Sequence, residues 1–205
     1  MADHPASSLE HEETYEVEPP NDGRPEEPEL DPEVAARRDA ALAHVRKWGD
    51  PVLRTKARPV AKFDSALLSE IERMGELMAD ALGVGLAATQ VGVLHRVLVY
   101  RVQQQAPVAA LVNPEIEWAG QETETMEEGC LSLPRVLVDV ERPIHVRVSA
   151  LDERGEPILV EASGLEARVL QHEIDHLDGV LMLDRTTREE RKAAIRTLRE
   201  AEQAA

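Results

Sequence analysis

Aromatic residues are scarce in this chain, with two Trp, two Tyr and one Phe among 205 residues, 2% of the total. Aliphatic side chains must therefore fill the interior, and a hydrophobic content of 42% supplies enough of them to build one. Cysteine occurs once, as Cys130, which excludes an internal disulfide and points to a reducing, cytoplasmic location. No apolar run approaches the ~18 residues of a membrane span, and no charged-then-apolar leader opens the chain. A soluble, unexported protein without a membrane partner is expected. Positive charge is also short: 23 Lys and Arg stand against 40 Asp and Glu, a net charge of −17. An acidic surface repels phosphate, so no direct nucleic-acid site is expected.

The negative charge is uneven. Residues 1–34 hold twelve Asp or Glu, one Arg and six prolines, with few aliphatic residues. Such a segment buries too little surface to offset its ordering entropy, so 1–34 reads as a disordered, acidic, proline-rich tail. A folded domain over 35–186 and a C-terminal helix over 187–205 are expected to follow.

Residues 34–45 alternate alanine and charge and suit either a short helix or the approach to a strand. Asp64 or Ser65 caps a helix whose apolar positions, Leu67, Ile71, Met74, Met78 and Ala81, follow the 3.6-residue period and run into the glycines of GVGLAATQVG, residues 83–92. Strand-like stretches come next, at 95–102, 109–120 and 136–152, with a hairpin turn at 153–156 leading into ILVEA. The final segment opens on a Thr187 and Glu190 capping box but has few large apolar residues, so it should pack weakly. The arrangement is α+β: mostly antiparallel strands around a central buried helix, with a C-terminal helix.

That central helix carries His172-Glu173-Ile174-Asp175-His176. Residues four apart project from one face, so the two imidazoles converge on a point, and Glu173, about 100° round the helix, reaches a water bound there. Ser163 and Glu166 have capping-box spacing at its start, and Asp178-Gly179 is a stop signal. H-E-x-x-H is short, however, and two buried histidines are also accounted for as hydrogen-bonded core residues. A catalytic metal takes three protein ligands, so a third is required. Cys130 lies in EEGCLSLP (127–134), between strand-like stretches, with Gly129 before it and Pro134 ending a turn. Its thiolate would complete a site suited to zinc or ferrous iron, although a lone cysteine is also a small buried apolar residue.

Three stretches, GVGLAATQ (83–90), EGCLSLP (128–134) and QHEIDHLDG (171–179), together with Gly49-Asp50-Pro51-Val52-Leu53-Arg54, resemble the peptide deformylase family in order and approximate spacing over about residues 44–185. The resemblance implies Cys130, His172 and His176 as metal ligands and Glu173 as general base and acid. It further implies the Gln90 amide and the Leu131 backbone N–H as oxyanion donors, and Val84, Gly85, Glu128, Leu165 and Val169 around the substrate. The implied cofactor is one divalent ion, ferrous iron in the cell, with zinc, nickel or cobalt able to substitute. The implied partner is a nascent polypeptide beginning with N-formyl-methionine, and ribosome docking through the C-terminal helix is left open. Read as residues alone, Gln90 equally suits an exposed turn, Gly83 and Gly85 a helix stop, and Leu165 and Val169 simple core. One departure stands out: after Pro134 the chain reads Arg135-Val136-Leu137, where many family members have glycine or a polar residue and then arginine.

Other H-E-x-x-H zinc peptidases are the rival reading. One type needs a third histidine where this chain has Met182, and another a glutamate near Arg196, so neither ligand set is complete. A catalytically inactive relative that keeps the metal as a structural staple is the remaining alternative.

Overall fold

The computed structural model describes residues 30–203. Most of the expected tail, 1–29, lies outside them, and at its inner end Pro32 already opens a helix, so the folded part begins before residue 35. In α1 (Pro32–Leu42) the Asp31 carboxylate accepts the Glu33 N–H and Pro32 pre-sets the first turn, which resolves residues 34–45 as mainly helix. Asp64 caps α2 (Ser65–Asp80), accepting the Ala66 and Leu67 N–H groups at 3.1 and 3.2 Å, and Leu67, Met74 and Met78 form its buried stripe.

Seven strands follow: β1 (Gly85–Ala87), β2 (Val97–Tyr100), β3 (Ala109–Ala119), β4 (Thr123–Cys130), β5 (Leu133–Pro143), β6 (His145–Leu151) and β7 (Pro157–Ser163). Five of them form an antiparallel sheet in the order β1-β2-β3-β6-β7, and β4 pairs with β5 in a separate two-stranded sheet. Then come α3 (Leu165–Leu177) and α4 (Arg188–Gln203).

The five-stranded sheet is covered on both faces at its β1–β2 end. Side chains alternate across a strand, so Leu98 and Tyr100 pack with Leu170 and Ile174 of α3, while Val97 and Val99 pack with Met74 and Met78 of α2. This double cover is why residues 97–100 are apolar without interruption. The β4–β5 hairpin has its own cluster, in which Val136, Val138 and Val140 meet Leu53, Met182, Ala194 and Leu198. Contrary to expectation, α4 therefore packs closely: Ala194 and Leu198 are small or compact enough to bury an otherwise charged helix against β5.

Two strand expectations need correction. The stretch 136–152 is not one strand; Pro143, lacking an N–H, closes β5, and beyond Ile144 the chain enters the other sheet as β6. Residues 123–130 form a strand that no hydrophobic pattern announces, because nearly all of β4 is exposed. Cys130 is thus the last residue of a strand rather than part of a turn.

Helix α3 is the centre of the molecule, with Ala167 to Leu177 all buried. The expected capping box is not what starts it. Gly164 sits at the N-terminus with φ +57°, a conformation that favours glycine, while Ser163 Oγ lies 2.8 Å from His145 Nδ1. The stop at Asp178-Gly179 is as expected: Gly179 has φ +73°, and a Cβ there would lie 2.7 Å from the Arg54 carbonyl oxygen.

A buried ionic network ties α3 to the hairpin. Arg142 donates to Glu128 Oε1 and Oε2 at 2.6 and 2.9 Å and to Asp175 Oδ2 at 2.8 Å. Arg168 adds a 2.7 Å bond to Glu128, and Arg185 holds Asp175 at 2.6 and 3.1 Å. Burial pushes the Glu128 carboxyl up, but hydrogen bonds and charge from His172 and Arg142 together overcome it and hold the group well below the ordinary carboxylate range. A depressed carboxylate contributes stability that is present above its unfolded value, about 4.3, and is lost as pH falls toward the folded value. Glu128→Gln should therefore lower stability at pH 7 by about 3 kcal/mol, since it leaves buried guanidinium charge uncompensated. In acid titrations followed by circular dichroism, the gap to wild type should narrow progressively below pH about 4.

Candidate active site

Three donors from two elements meet at the inner end of α3. Cys130 Sγ, at the end of β4, lies 3.2 Å from His176 Nε2, and one atom each of Cys130, His172 and His176 falls within 4.8 Å of the others. Donors around a single tetrahedral ion stand about 3.5 Å apart, so the cluster is of the right size for one. Among the described residues no other cluster of three such donors occurs. The two imidazoles are adjacent because they are one helical turn apart, with ring centroids 5.0 Å from each other.

Their orientation comes from outside the helix. His172 Nδ1 lies 2.9 Å from Glu128 Oε2, which fixes the ring and leaves its Nε2 free for the centre. Thr89 Oγ1 donates to the His176 carbonyl at 3.2 Å and anchors the last turn of α3. Burial raises the Cys130 thiol, but the facing imidazoles of His176 and His172 outweigh it and hold the group well below the ordinary thiol value. A buried thiolate requires positive charge beside it, and a divalent cation among these donors would supply it. The chemistry of the donor set thus fits a metal.

Glu173 is also buried, and burial, the largest influence, pushes its carboxyl up. Its Oε2 has no hydrogen-bond partner, an uncommon state for a buried carboxylate oxygen. Gly85 in β1 stands directly against it: a Cβ on Gly85 would collide with Glu173 Oε1 and lie 2.9 Å from Cγ and Cδ. Gly85, expected around the substrate, also has a steric role, since its missing side chain makes room for the Glu173 carboxylate.

Gln90 is 1% exposed, within the 3-10 turn Ala88–Val91, and not the exposed polar residue its local sequence also allowed. Its Oε1 accepts the Ala87 N–H at 2.8 Å, which fixes the amide so that Nε2 faces Ser132 Oγ at 3.3 Å and Cys130 Sγ at 3.6 Å. Leu131, the next residue after Cys130, is partly buried and its side chain packs near Gly83.

The residues expected around the substrate separate into two groups. Val84 and Leu165 are about half exposed, whereas Val169 is buried in the main apolar cluster. Glu128, also expected around the substrate, is 5% exposed with both oxygens engaged, by Arg142 and by His172, so it orients the His172 ring. Arg142 and Arg168 escaped the sequence reading, as did the part Asp175 plays in holding Arg142 and Arg185. A period-two count back from Cys130 would have put Glu128 on the same strand face, had β4 been recognised. The departure at Arg135 has a conformational counterpart: Arg135 adopts φ +62°, a region that favours glycine.

The rival ligand sets do not form. Met182 is buried in the hairpin cluster, and Arg196 is exposed on α4.

Comparison with known proteins agrees with this geometry. The family model for polypeptide deformylase matches residues 42–192. A peptide deformylase from Acidothermus cellulolyticus is 48% identical over 162 residues, covering 79% of this chain and 88% of that protein. One from Thermotoga neapolitana is 53% identical over 144 residues, covering 70% and 87%. Among solved structures, the Synechococcus elongatus peptide deformylase in complex with actinonin superimposes with a TM-score of 0.72 at 44% identity, covering 75% of this chain and 85% of that one. With a cluster of three potential metal donors at its centre and these likenesses over most of its length, the chain belongs to the polypeptide deformylase family.

Proposed function

We propose that Cys130, His172 and His176 hold one divalent ion, that Glu173 shuttles the proton, and that Gln90 and the Leu131 N–H hold the developing oxyanion. The reaction is that of the family: hydrolytic removal of the formyl group from the N-formyl-methionine of newly made polypeptides, releasing formate and a free amine. The observation that carries the site assignment is the buried, unpartnered Glu173 oxygen beside the donor cluster, which a structural staple would not require.

When bound, the divalent ion acidifies a water molecule and supplies hydroxide near neutral pH. Glu173, raised by burial, has the proton affinity to accept a proton from water and later deliver it to the leaving nitrogen. Attack on the formyl carbon places negative charge on its oxygen. The Gln90 amide, locked by its bond from the Ala87 N–H, is neutral and cannot lose its donor character with pH. Such a pre-aimed donor contributes about 3 kcal/mol to lowering the barrier. Val84 and Leu165 offer exposed apolar surface suited to a thioether side chain, with Val169 behind them.

Ferrous iron is the resident ion in this reading, with zinc, nickel or cobalt as substitutes, because a thiolate and two imidazoles suit borderline-soft divalent metals. The site of action is the cytoplasm, where formylated chains emerge. Helix α4, with basic residues Arg188, Arg191, Lys192, Arg196 and Arg199 on exposed positions, is the surface we assign to ribosome docking. The acidic segment before α1 takes no part in turnover.

Glu173→Gln should retain the metal yet lose at least about 100-fold in kcat for formate release from a formyl-Met-Ala peptide; near-normal turnover would remove Glu173 as the base. Cys130→Ser should strip tightly held metal, and unchanged metal content by atomic absorption would exclude the thiolate as a ligand. Gly85→Ala keeps every ligand but pushes the Glu173 carboxylate aside. It should reduce kcat by about 100-fold at unchanged metal content.

A further inference from the structure

Three consecutive residues, Arg46-Lys47-Trp48, run behind both groups assigned to the oxyanion. The Arg46 N–H donates to the Gln90 carbonyl at 2.7 Å, and the Trp48 N–H donates to the Ser132 carbonyl at 2.9 Å. Between them, Lys47 Nζ donates to the Leu131 carbonyl at 3.1 Å. The strap therefore joins the turn that carries Gln90 to the connection between β4 and β5. Two of these bonds are made by backbone N–H groups and do not depend on side-chain identity, proline excepted; the bond to Leu131 depends on a side chain.

Leu131 needs that support. The β4–β5 register runs to Cys130↔Leu133, with an irregularity between Gly129 and Cys130, so Leu131 and Ser132 form the connection and have no partners in the ladder. A backbone N–H stabilises a developing oxyanion only if its direction is fixed before the reaction, because reorientation during it would cost part of the gain. Ser132 is fixed by Trp48 and by Gln90 Nε2, whereas the neighbouring Leu131 carbonyl is held by the ammonium of Lys47.

We propose that Lys47 is a positioning residue for deformylation: by gripping the Leu131 carbonyl it fixes the Leu131–Ser132 peptide plane, and with that plane held Leu131 cannot turn freely about its Cα, which restrains its N–H, in the preceding plane, toward the point faced by the Gln90 amide. The inference rests on the assignment of that N–H to the oxyanion made above. Lys47 is on an exposed part of the chain, so its side chain can be exchanged without opening the core. Its ammonium also senses the charge of Cys130, so a direct effect on the metal ligand is the competing explanation and must be measured separately.

The test compares full-length wild type, Lys47→Met and Lys47→Arg, each loaded with the same metal. The readouts are kcat and KM for formyl-Met-Ala, metal content by atomic absorption, and Tm. Lys47→Met keeps the length of the stem and removes the donor; kcat should fall about tenfold with KM within about twofold and metal content unchanged. Lys47→Arg, which restores a cationic donor, should recover most of the loss. A wild-type kcat in Lys47→Met, a loss that tracks metal content, or equal losses in both variants would each overturn the proposal. If wild type itself releases no formate, the assignment of the whole site falls with it; an active wild type and an equally active Lys47→Met overturn Lys47 alone.

Discussion

The bond between Glu128 and His172 is the constraint on which the site depends. A helix brings two histidines to one side but does not decide which ring nitrogen of each faces inward. By occupying Nδ1 of His172, the carboxylate settles that choice for one histidine, and Arg142 and Arg168 hold the carboxylate in turn. The cost of burying these charges is offset because each is shared: Arg142 also reaches Asp175, which Arg185 holds from the other side. The network thereby makes α3 and the β4–β5 hairpin one unit, and Cys130 enters the centre at a fixed distance from His176.

The scarcity of aromatics has a structural consequence. Aliphatic side chains pack densely between closely spaced layers, and α2, the sheet and α3 stack through Leu, Ile, Val, Met and Ala, with Tyr100 the one aromatic among the buried members of the described core clusters and Trp48 and Phe63 packed against their edges. Small residues then do specific work. Gly85 lets β1 approach α3 closely enough for Glu173 to lie against it, and Ala87 brings its N–H to Gln90. The Glu173 carboxylate and the Gln90 amide are thus both set by one short strand.

Much of this was legible in the sequence. The stripe Leu67, Met74 and Met78 marked α2 through its period, and Asp64 marked its start. Spacing within H-E-x-x-H gave the histidine pair, and the conjunction with EGCLSLP gave Cys130. What escaped did so for physical reasons. Strand β4 is exposed along most of its length, so no buried face imposes alternation on it. Strands β5 and β6 merged into one reading because both alternate in phase and the break at Pro143 is a change of sheet, not of pattern. The capping box at Ser163 failed because spacing cannot reveal that Gly164 has already turned the chain with a positive φ. The packing of α4 was underestimated because two buried positions, Ala194 and Leu198, were enough.

By itself the sequence determined which side chains could do the chemistry: a thiol, two imidazoles four residues apart, a carboxylate between them and an uncharged amide. It determined these because they are properties of residue type and short-range helical geometry. Tertiary structure alone decided that Glu128 orients a histidine, that Gly85 makes way for Glu173, and that Lys47 reaches the Leu131 carbonyl. Each of those is a contact between segments distant along the chain, and which distant segments meet is fixed by how the sheets and helices pack, not by any local pattern of residues.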